Sequence, residues 1–275
     1  MQAHIVQFDI AWEDPEANFV RVRRLLDGLD SGRGPGRGSL VLLPEMFDTG
    51  FSLHTETTAD AKNLTLAFMS ELADDFGCLV QGGRTVSTCA ARKPAGEPCP
   101  KAFNVMSVVA PGERVLCEYR KIHPFSFGKE PERILGGESV ETWRWAGADG
   151  SDASALTVCP VICYDLRFPE LFRIGMKRGA EVFAIGANWP DTRQHHWRSL
   201  IIARAIENQA FVLASNRTGK DPFLSYAGGS IAVGPKGDVL GELAAEEGVL
   251  SVEVDPAAVR SWRETFPAWR DLRLI

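Results

Sequence analysis

The sequence predicts a layered α/β sandwich in a single domain. Strand-like and helix-like segments alternate along the whole chain, and the strands outnumber the substantial helices, of which there are about four. Neither an internal repeat nor a linker interrupts this alternation. With 275 residues, of which 45% are hydrophobic and 24% charged, the chain is long enough to bury a full core and has an ordinary globular composition.

The N-terminal segment predicts a strand followed by a helix. Residues 4–9 have the pattern of a strand. Asp14 and Pro15 are typical of the cap and the first position of a helix. The apolar residues of this helix recur at helical spacing, at Phe19, Val22, Leu26 and Leu29.

The first candidate residue follows a short buried strand. Residues 31–39, which contain four glycines, predict a flexible surface loop. Residues 40–43 are wholly apolar, which is typical of a strand that is covered on both faces. This strand ends at Pro44 and Glu45.

A second amphipathic helix and a further strand come next. Gly77 is typical of a helix C-terminus, and residues 78–83 predict the start of the following strand. The apolar positions of the helix are Ala61, Leu64, Phe68, Leu72 and Phe76.

A hairpin leads to the second candidate residue. Residues 103–110 and 115–119 predict two strands, and the turn signal Pro111-Gly112 lies between them. The second strand leads directly to Lys121.

The third candidate residue, Cys163, lies at a predicted strand-to-helix turn. Residues 155–162 are rich in β-branched and small apolar side chains, and Pro169 and Glu170 suit the first turn of a helix. Unpaired N–H groups and a positive field at such a turn favour a thiolate and can stabilise an oxyanion. The alternative is a small buried cysteine without a chemical role.

The remaining C-terminal part again alternates helices with strands. The predicted helix from Pro169 to about residue 179 is apolar almost all round, which indicates burial on two sides and a subunit contact in a homodimer. A second helix is predicted from near Asp191, with Trp197, Leu200 and Ile201 on one face. Strands are predicted at residues 181–187, 210–215, 230–233 and 249–254.

Charge and cysteine usage exclude several classes of protein. A net charge of -6, a pI near 5.5 and scattered basic residues argue against nucleic acid as a partner. The N-terminus has no signal-peptide pattern and no apolar run is long enough for a bilayer, so we expect a cytoplasmic protein without a membrane partner. The six cysteines form no C-x-x-C pair, which predicts reduced thiols and neither a zinc site nor a disulfide framework.

Histidines do not supply an obvious base or metal site. None of the five has the setting of a papain-like catalytic histidine. His195 and His196 are adjacent and so point in different directions, and no third ligand stands at a familiar spacing. We expect them at the rim of a pocket or on the surface, and we expect no metal.

Glu45, Lys121 and Cys163 each follow a strand, so three strand ends can converge on one site. Taken singly, a residue such as Glu45 is more often a solvated loop acid, and one such as Lys121 more often a surface cation, than a functional group. The chain surrounds them with three motifs, in the order Glu, Lys, Cys. The motifs are Pro44-Glu45-Met46-Phe47, Lys121-Ile122-His123-Pro124-Phe125 with Glu130 beyond it, and Cys163-Tyr164-Asp165-Leu166-Arg167-Phe168-Pro169-Glu170.

These motifs resemble the Glu, Lys and Cys signatures of the nitrilase superfamily of carbon–nitrogen hydrolases. Further matching segments, at residues 187–190, 203–209, 215–217 and 266–269, extend the resemblance over most of the chain and look most like the omega-amidase branch. Pro124 departs from the leucine that is usual in the family, and this leaves the substrate preference open.

The resemblance implies an α-β-β-α sandwich, with two mixed sheets flanked by helices, that dimerises through its helices. Residues 1–275 would form one carbon–nitrogen hydrolase domain, with a C-terminal tail from about residue 255 packing at the subunit interface.

The resemblance also implies a cysteine amidase that needs neither a metal nor an organic cofactor. Glu45 would take the thiol proton, Cys163 would attack the amide carbonyl, and Lys121 with the backbone N–H of Tyr164 would stabilise the oxyanion. Glu130 would keep Lys121 charged and in place. Ammonia then leaves a thioester, which water hydrolyses.

The expected substrate is the omega-amide of a small dicarboxylate, such as 2-oxoglutaramate or succinamate. Arg167 would bind the far carboxylate, although a structural role, pairing with Asp165 or Glu170, is the alternative. Asn188 and Trp189 would belong to the substrate-binding residues, with Trp189 lining the pocket or else lying in the core. A short aliphatic amide or nitrile hydrolase of the same superfamily, and a non-catalytic binding module, remain competing interpretations.

Overall fold

A computed structural model describes residues 1–29, 34–88, 101–112, 114–148, 150–151 and 154–274. Within these residues, two mixed β-sheets pack face to face and helices cover their outer faces. The α-β-β-α arrangement that the sequence implied is therefore confirmed.

The first sheet contains the N-terminal strands and one strand from the C-terminal part. Its members are β1 (Gln2–Gln7), β2 (Leu40–Leu42), β3 (Leu79–Ser87), β4 (Ala102–Ala110), β5 (Arg114–Arg120), β6 (Ile134–Leu135) and β15 (Gly248–Glu253). The order is β15-β1-β2-β3-β4-β5, and β6 pairs with β4. The central strand β2 runs parallel to β1 and β3, whereas β4 and β5 continue antiparallel.

The second sheet has a parallel centre and antiparallel edges. Its members are β7 (Trp143–Trp145), β8 (Leu156–Ile162), β9 (Val182–Ala187), β10 (Phe211–Asn216), β13 (Ile231–Val233) and β14 (Val239–Glu242), in the order β14-β13-β10-β9-β8-β7. Strands β8, β9 and β10 are parallel. Strands β11 (Thr218–Lys220) and β12 (Ser225–Ala227) form a separate hairpin.

Helix ends agree with their sequence signals at two places. Asp14 caps the first helix by accepting a hydrogen bond from the Ala17 N–H, with Pro15 as the first helical residue. Gly77 ends the third helix at φ 62°, in the left-handed region where glycine is favoured. The helices are α1 (Pro15–Asp27), α2 (Thr55–Thr58), α3 (Leu64–Phe76), α4 (Pro169–Lys177), α5 (Gln194–Asn208) and α6 (Pro256–Thr265). No helix among the described residues is both long and apolar enough to cross a membrane.

Alternation along buried strands distributes side chains between an inner and two outer cores. On β2, Leu40 and Leu42 enter the core between the sheets, whereas Val41 packs against the α1 and α3 side. On β9, Ala184 faces the inner core and Phe183 packs against α4 and α5. Since burying one large apolar side chain stabilises the fold by about 1.5–3 kcal/mol, these cores hold β2 and β9 in place within their sheets.

Several predicted boundaries were wrong. Helix α3 begins at Leu64 rather than Ala61, because Asn63 adopts the left-handed region at φ 55°. Helix α4 is not buried all round, since Ile174 is 37% exposed. A 3₁₀ turn occupies Asp191–Arg193, so helix α5 begins only at Gln194.

The glycine-rich loop is only partly described. Residues 31–33 of this loop, and Cys89 and Cys99 elsewhere, lie outside the described residues. The remainder is held to the sheets rather than free in solvent, because Gly38 bonds to Gly77 and the Pro35 carbonyl lies 2.9 Å from the ring nitrogen of His4.

The sequence analysis missed α6 and the short strands β6, β7, β11, β12 and β14. Strands of two to four residues are too short to establish a pattern. Helix α6 docks on its own chain, where Arg260 pairs with Glu181 at 2.8 Å and Arg263 donates to the Ala180 carbonyl at 2.7 Å. The Asp255-Pro256 signal that starts this helix was available in the sequence.

We expect Gly186→Ala to lower the free energy of unfolding by about 1–3 kcal/mol, because the added methyl group overpacks the space between the sheets. A Cβ atom at Gly186 would lie 2.8 Å from the Leu43 carbonyl oxygen and 3.0 Å from the Glu45 nitrogen. Urea denaturation measures the change. Gly248→Ala is the matched control, since its Cβ would approach nothing closer than 4.0 Å; equal stabilities of the two variants would contradict this account.

Candidate active site

Both sheets contribute strand ends to one cavity of about 540 Å³. Glu45 follows β2 and Lys121 follows β5 in the first sheet, whereas Cys163 follows β8 in the second. Lys121 and Cys163 line the cavity, and Glu45 is fully buried beneath it and bonded to Lys121. The structure thus brings together the three residues that the sequence singled out.

Lys121 is fully buried between two carboxylates. Its Nζ donates to Glu45 Oε1 at 2.8 Å and to Glu130 Oε2 at 2.8 Å, and all three side chains are 0% exposed. An ammonium group has three donors and no acceptor, so these two carboxylates both orient it and neutralise it.

Two asparagines donate further hydrogen bonds to the carboxylates of the cluster. The Asn104 side chain donates to Glu45 Oε1 at 2.7 Å and to Glu130 Oε1 at 3.1 Å. The Asn188 backbone N–H donates to Glu45 Oε2 at 2.9 Å, and its side chain donates to the Glu45 carbonyl at 2.6 Å. Asn188 lines the cavity as expected, but these bonds make it a support for Glu45.

Asn104 was missed in the sequence. It lies within β4 between apolar residues, and an amide in the middle of a buried strand is the signal that could have identified it.

Electrostatics set the protonation states of the cluster. Burial alone would lower the pKa of Lys121, but the carboxylates of Glu130 and Glu45 outweigh burial and raise it. Burial alone would raise the pKa of Glu45, but Lys121 and the N–H donors of Asn188 and Asn104 bring it below its usual value. Burial and the charge of Glu45 raise the pKa of Glu130 despite Lys121. Lys121 is therefore a permanent donor, and Glu45 is an ionised carboxylate.

The expectation of a thiolate stabilised by a helix terminus was wrong for Cys163. Burial, followed by the charge of the Glu45 carboxylate, raises the pKa of the Cys163 thiol well above its usual value, and Lys121 offsets only part of this. The α-helix begins six residues later, at Pro169, and a short 3₁₀ turn occupies Cys163–Arg167. The resting thiol is protonated and needs a base.

Backbone conformation at the site is unusual. Cys163 and Met46 both have a φ of 43°, in the left-handed region that non-glycine residues rarely occupy. Gly83 allows the Glu45 segment to approach closely, because a Cβ there would lie 2.6 Å from the Glu45 Cα. Such conformations cost about 1–3 kcal/mol each and persist where the surrounding structure holds them.

Asp165 connects the turn that carries Cys163 with the loop that carries Lys121. This buried carboxylate accepts hydrogen bonds from the Tyr119 hydroxyl at 2.8 Å and the Ile162 N–H at 3.2 Å. It also accepts from the backbone N–H of His123 at 3.0 Å and from its Nδ1 at 2.8 Å. The sequence analysis considered Asp165 only as a partner for Arg167, and that pairing was wrong.

Arg167 lines the cavity and has no ion-pair partner in the part of the chain that the structure describes. Among the described residues it pairs with neither Asp165 nor Glu170, and its polar neighbour is the exposed His196, 3.4 Å away. Its guanidinium carbon lies 4.6 Å from the centre of the Trp189 ring. Trp189 is 2% exposed and also lines the cavity, so it is both a core residue and a pocket residue.

The cavity wall is largely aromatic. Tyr164 lines it directly after Cys163, and its backbone N–H belongs to the first turn of the 3₁₀ segment, where N–H groups have no partner within the turn. His195 and His196 are both exposed. Within the described part of the chain, no group of three or more His, Cys, Asp or Glu side chains could hold a metal ion. The other aromatic residues of the wall are Trp12, Phe51, Phe125, Phe223 and Tyr226.

This arrangement can perform nucleophilic catalysis. The site combines the buried Cys163 thiol with the ionised Glu45 carboxylate, which raises the pKa of that thiol, and with the Lys121 ammonium group. Attack on a carbonyl requires a nucleophile and a base, and stabilisation of the resulting oxyanion requires a donor.

Comparison with known proteins points to the same chemistry. A family model described as carbon-nitrogen hydrolase matches residues 2–264. The chain is 33% identical to a 2-oxoglutaramate amidase of Bacillus subtilis, covering 98% of this chain and 96% of the relative. It is 31% identical to an omega-amidase of Escherichia coli, covering 97% and 94%.

A solved structure has the same fold. The crystal structure of a CN-hydrolase superfamily protein from Xanthomonas campestris, which carries an arsenic adduct in its active site, superposes with a TM-score of 0.86. The two chains are 30% identical, and the match covers 100% of this chain and 98% of that one.

We expect Glu45→Gln to accelerate alkylation of Cys163 by iodoacetamide at a fixed pH near 8. The carboxylate raises the pKa of the thiol, so its removal lowers that pKa and increases the thiolate fraction, roughly tenfold for each pKa unit. Mass spectrometry of the Cys163 peptide measures the rate. Glu118→Gln, a change on β5 at a residue that pairs with Arg84, is the control that should leave the rate unchanged; slower alkylation of the Glu45 variant would contradict the assignment.

Proposed function

The chain belongs to the carbon–nitrogen hydrolase family, and on this premise we propose that it is an omega-amidase acting through Cys163. The observation that carries the proposal is the buried cluster of Glu45, Lys121 and Glu130 next to Cys163, at a cavity that is also lined by Arg167, which has no ion-pair partner among the described residues. The omega-amidase and 2-oxoglutaramate amidase relatives support the choice of substrate.

The first chemical step forms a thioester. Glu45 takes the thiol proton as the Cys163 sulfur attacks the amide carbonyl carbon, and the carbonyl oxygen becomes an oxyanion. Lys121 Nζ and the Tyr164 backbone N–H donate to this oxyanion. Glu45 then delivers its proton to the amide nitrogen, the carbon–nitrogen bond breaks, and ammonia leaves.

The second step returns the enzyme to its resting state. A water molecule takes the place of ammonia, Glu45 accepts its proton, and the hydroxide adds to the thioester carbonyl. Collapse of this intermediate breaks the carbon–sulfur bond, releases the acid and returns the proton to Cys163. Glu130 acts throughout by holding Lys121 charged and in place, through its bonds at 2.8 and 3.1 Å.

Arg167 supports a substrate that carries a carboxylate at the end remote from the amide. Its guanidinium is half-buried against Trp189, and a planar fork of donors suits a carboxylate. A cavity of about 540 Å³ is sufficient for a small molecule such as succinamate or 2-oxoglutaramate. The aromatic walls favour a second candidate function, the hydrolysis of neutral short-chain amides. A neutral amide, however, would offer Arg167 no charged group to bind.

We further propose that the chain forms one domain that acts as a homodimer in the cytoplasm, with the C-terminal tail at the subunit interface. Among the described residues, the thiols of Cys78, Cys117, Cys159 and Cys163 are free, which suits a reducing compartment. Large apolar side chains are exposed on α4, α5 and the tail, and a subunit contact would cover them. They include Ile174 at 37%, Ile206 at 52%, Phe266 at 55% and Trp269 at 37% exposed.

We expect the wild-type protein to release ammonia from succinamate and 2-oxoglutaramate with a kcat/KM at least about tenfold above that for propionamide, because only the former can engage the arginine. Cys163→Ala should abolish turnover without unfolding the protein. Cys117→Ala, at a half-buried thiol outside the cavity, is the matched control that should remain active. Substantial activity of the Cys163 variant would remove the proposed nucleophile, and a preference for propionamide would favour the neutral amide hydrolase.

We expect Arg167→Lys to cost about 1.5–3 kcal/mol in kcat/KM for omega-amides that carry a carboxylate, the range for a hydrogen bond to a charged group, and to leave propionamide hydrolysis nearly unchanged. Steady-state kinetics on both substrates measure this difference. Arg173→Lys is the control, because Arg173 lies on the neighbouring helix α4, pairs with Glu207 and does not line the cavity. Equal losses on both substrates would assign Arg167 to the scaffold.

A further inference from the structure

A second arginine lines the same cavity as Arg167. Arg193 ends the 3₁₀ turn that follows β9, and its guanidinium carbon lies 5.6 Å from the centre of the Phe125 ring. Its backbone carbonyl accepts a hydrogen bond of 2.8 Å from Trp189 Nε1, and the Trp189 ring is the one on which Arg167 stacks. One tryptophan therefore connects the two arginines at the cavity wall.

Neither arginine has an ion-pair partner among the described residues. Asp221 is the sole carboxylate among the described residues that line the cavity, and it already accepts from the Tyr226 hydroxyl at 2.5 Å and the Leu224 N–H at 2.7 Å. Arginines elsewhere in the interior are paired with carboxylates, as at Arg84, Arg204 and Arg217.

Two unpaired guanidinium groups in one cavity favour an anionic ligand. Burial lowers the pKa of Arg167, and the charge of Arg193 contributes to the same effect, so the two cations disfavour each other while no anion is bound. The guanidinium carbons lie 4.6 Å from the Trp189 ring centre and 5.6 Å from the Phe125 ring centre, so aromatic rings and not carboxylates contact the two cations. Lys129 also lines the cavity, but its side chain is exposed, and an exposed ion pair contributes little.

We propose that Arg193 is a specificity-determining residue that binds the remote carboxylate of the substrate together with Arg167. This inference rests on the proposed omega-amidase function and narrows its substrate class. The preferred omega-amides are those whose carboxylate reaches both guanidinium groups, so each oxygen accepts from a separate arginine. Neutral amides offer neither arginine a partner.

The test is Arg193→Gln, assayed with succinamate, 2-oxoglutaramate and propionamide. We expect KM for the two carboxylate-bearing amides to rise roughly 10- to 100-fold while kcat changes little, because the remote carboxylate is bound equally in the ground state and the transition state. Inhibition by succinate should weaken by a similar factor, and propionamide hydrolysis should be unchanged. Arg193→Lys should recover only part of the loss, since a point charge replaces a fork of donors.

Arg198→Gln is the matched control, because Arg198 lies on helix α5, is exposed and pairs with Glu242 outside the cavity. An Arg193→Gln enzyme with unchanged KM and succinate inhibition, or with equal losses on propionamide, would overturn the inference. Its melting temperature should equal that of the wild type, since among the described residues the Arg193 side chain has no hydrogen-bond partner. A preference of the wild-type enzyme for propionamide would contradict the proposed omega-amidase function itself. That outcome is distinguishable from a failure of this inference, which concerns only the Arg193 variants.

Discussion

The site depends on one buried ammonium group, that of Lys121, held between the carboxylates of Glu45 and Glu130. Removing a charge from water costs several kcal/mol, and the arrangement is stable only because every donor of this cluster meets an acceptor at close range. Glu45 and Lys121, which are 76 residues apart in sequence, must therefore lie within hydrogen-bonding distance. The core between the sheets supplies this constraint, since Leu42 on β2 and Leu116 on β5 pack in it and so position the two strands that lead to these charges.

The reactive thiol is controlled by the same cluster rather than by a helix terminus. Cys163 is protonated at rest because burial and the Glu45 carboxylate disfavour the thiolate. A neutral thiol avoids placing another negative charge beside two carboxylates. The left-handed conformation of Cys163 and the four hydrogen bonds to Asp165 hold the sulfur at this position. Backbone strain and electrostatics thus act on the same few residues.

The sequence predicted those features whose signals are local. The cap at Asp14, the terminus at Gly77 and the apolar strands before Glu45 and Cys163 are of this kind, and they suffice for the layered fold. Contacts that depend on the order and register of strands in a sheet could not be predicted from the sequence. Asn104 reaches Glu45 only because β4 is two strands away from β2 in the sheet, and no spacing along the chain reports this. The direction of the thiol pKa was wrong for the same reason, since Glu45 comes from the other sheet.

The site contains two sets of charged residues that differ in how well they would tolerate substitution. One set is the buried cluster of Lys121 with its two carboxylates, and the other is the pair of arginines on the cavity wall. In the buried cluster, Lys121 is paired with two carboxylates, so replacing Lys121 would leave both carboxylates buried without their cation and would endanger the fold. On the cavity wall, Arg167 and Arg193 have no carboxylate partner among the described residues, so replacing either one would leave no partner unpaired. Under the proposed function, the reaction type therefore depends on the buried cluster, and the choice of substrate depends on the cavity wall. Phe125, which follows Pro124, contacts both the buried cluster and the cavity wall. Its backbone N–H donates to Glu130, and its ring lies next to the guanidinium group of Arg193. Pro124, which departs from the family pattern, thus lies where a substitution can change the cavity wall while the buried Lys121 cluster keeps its geometry.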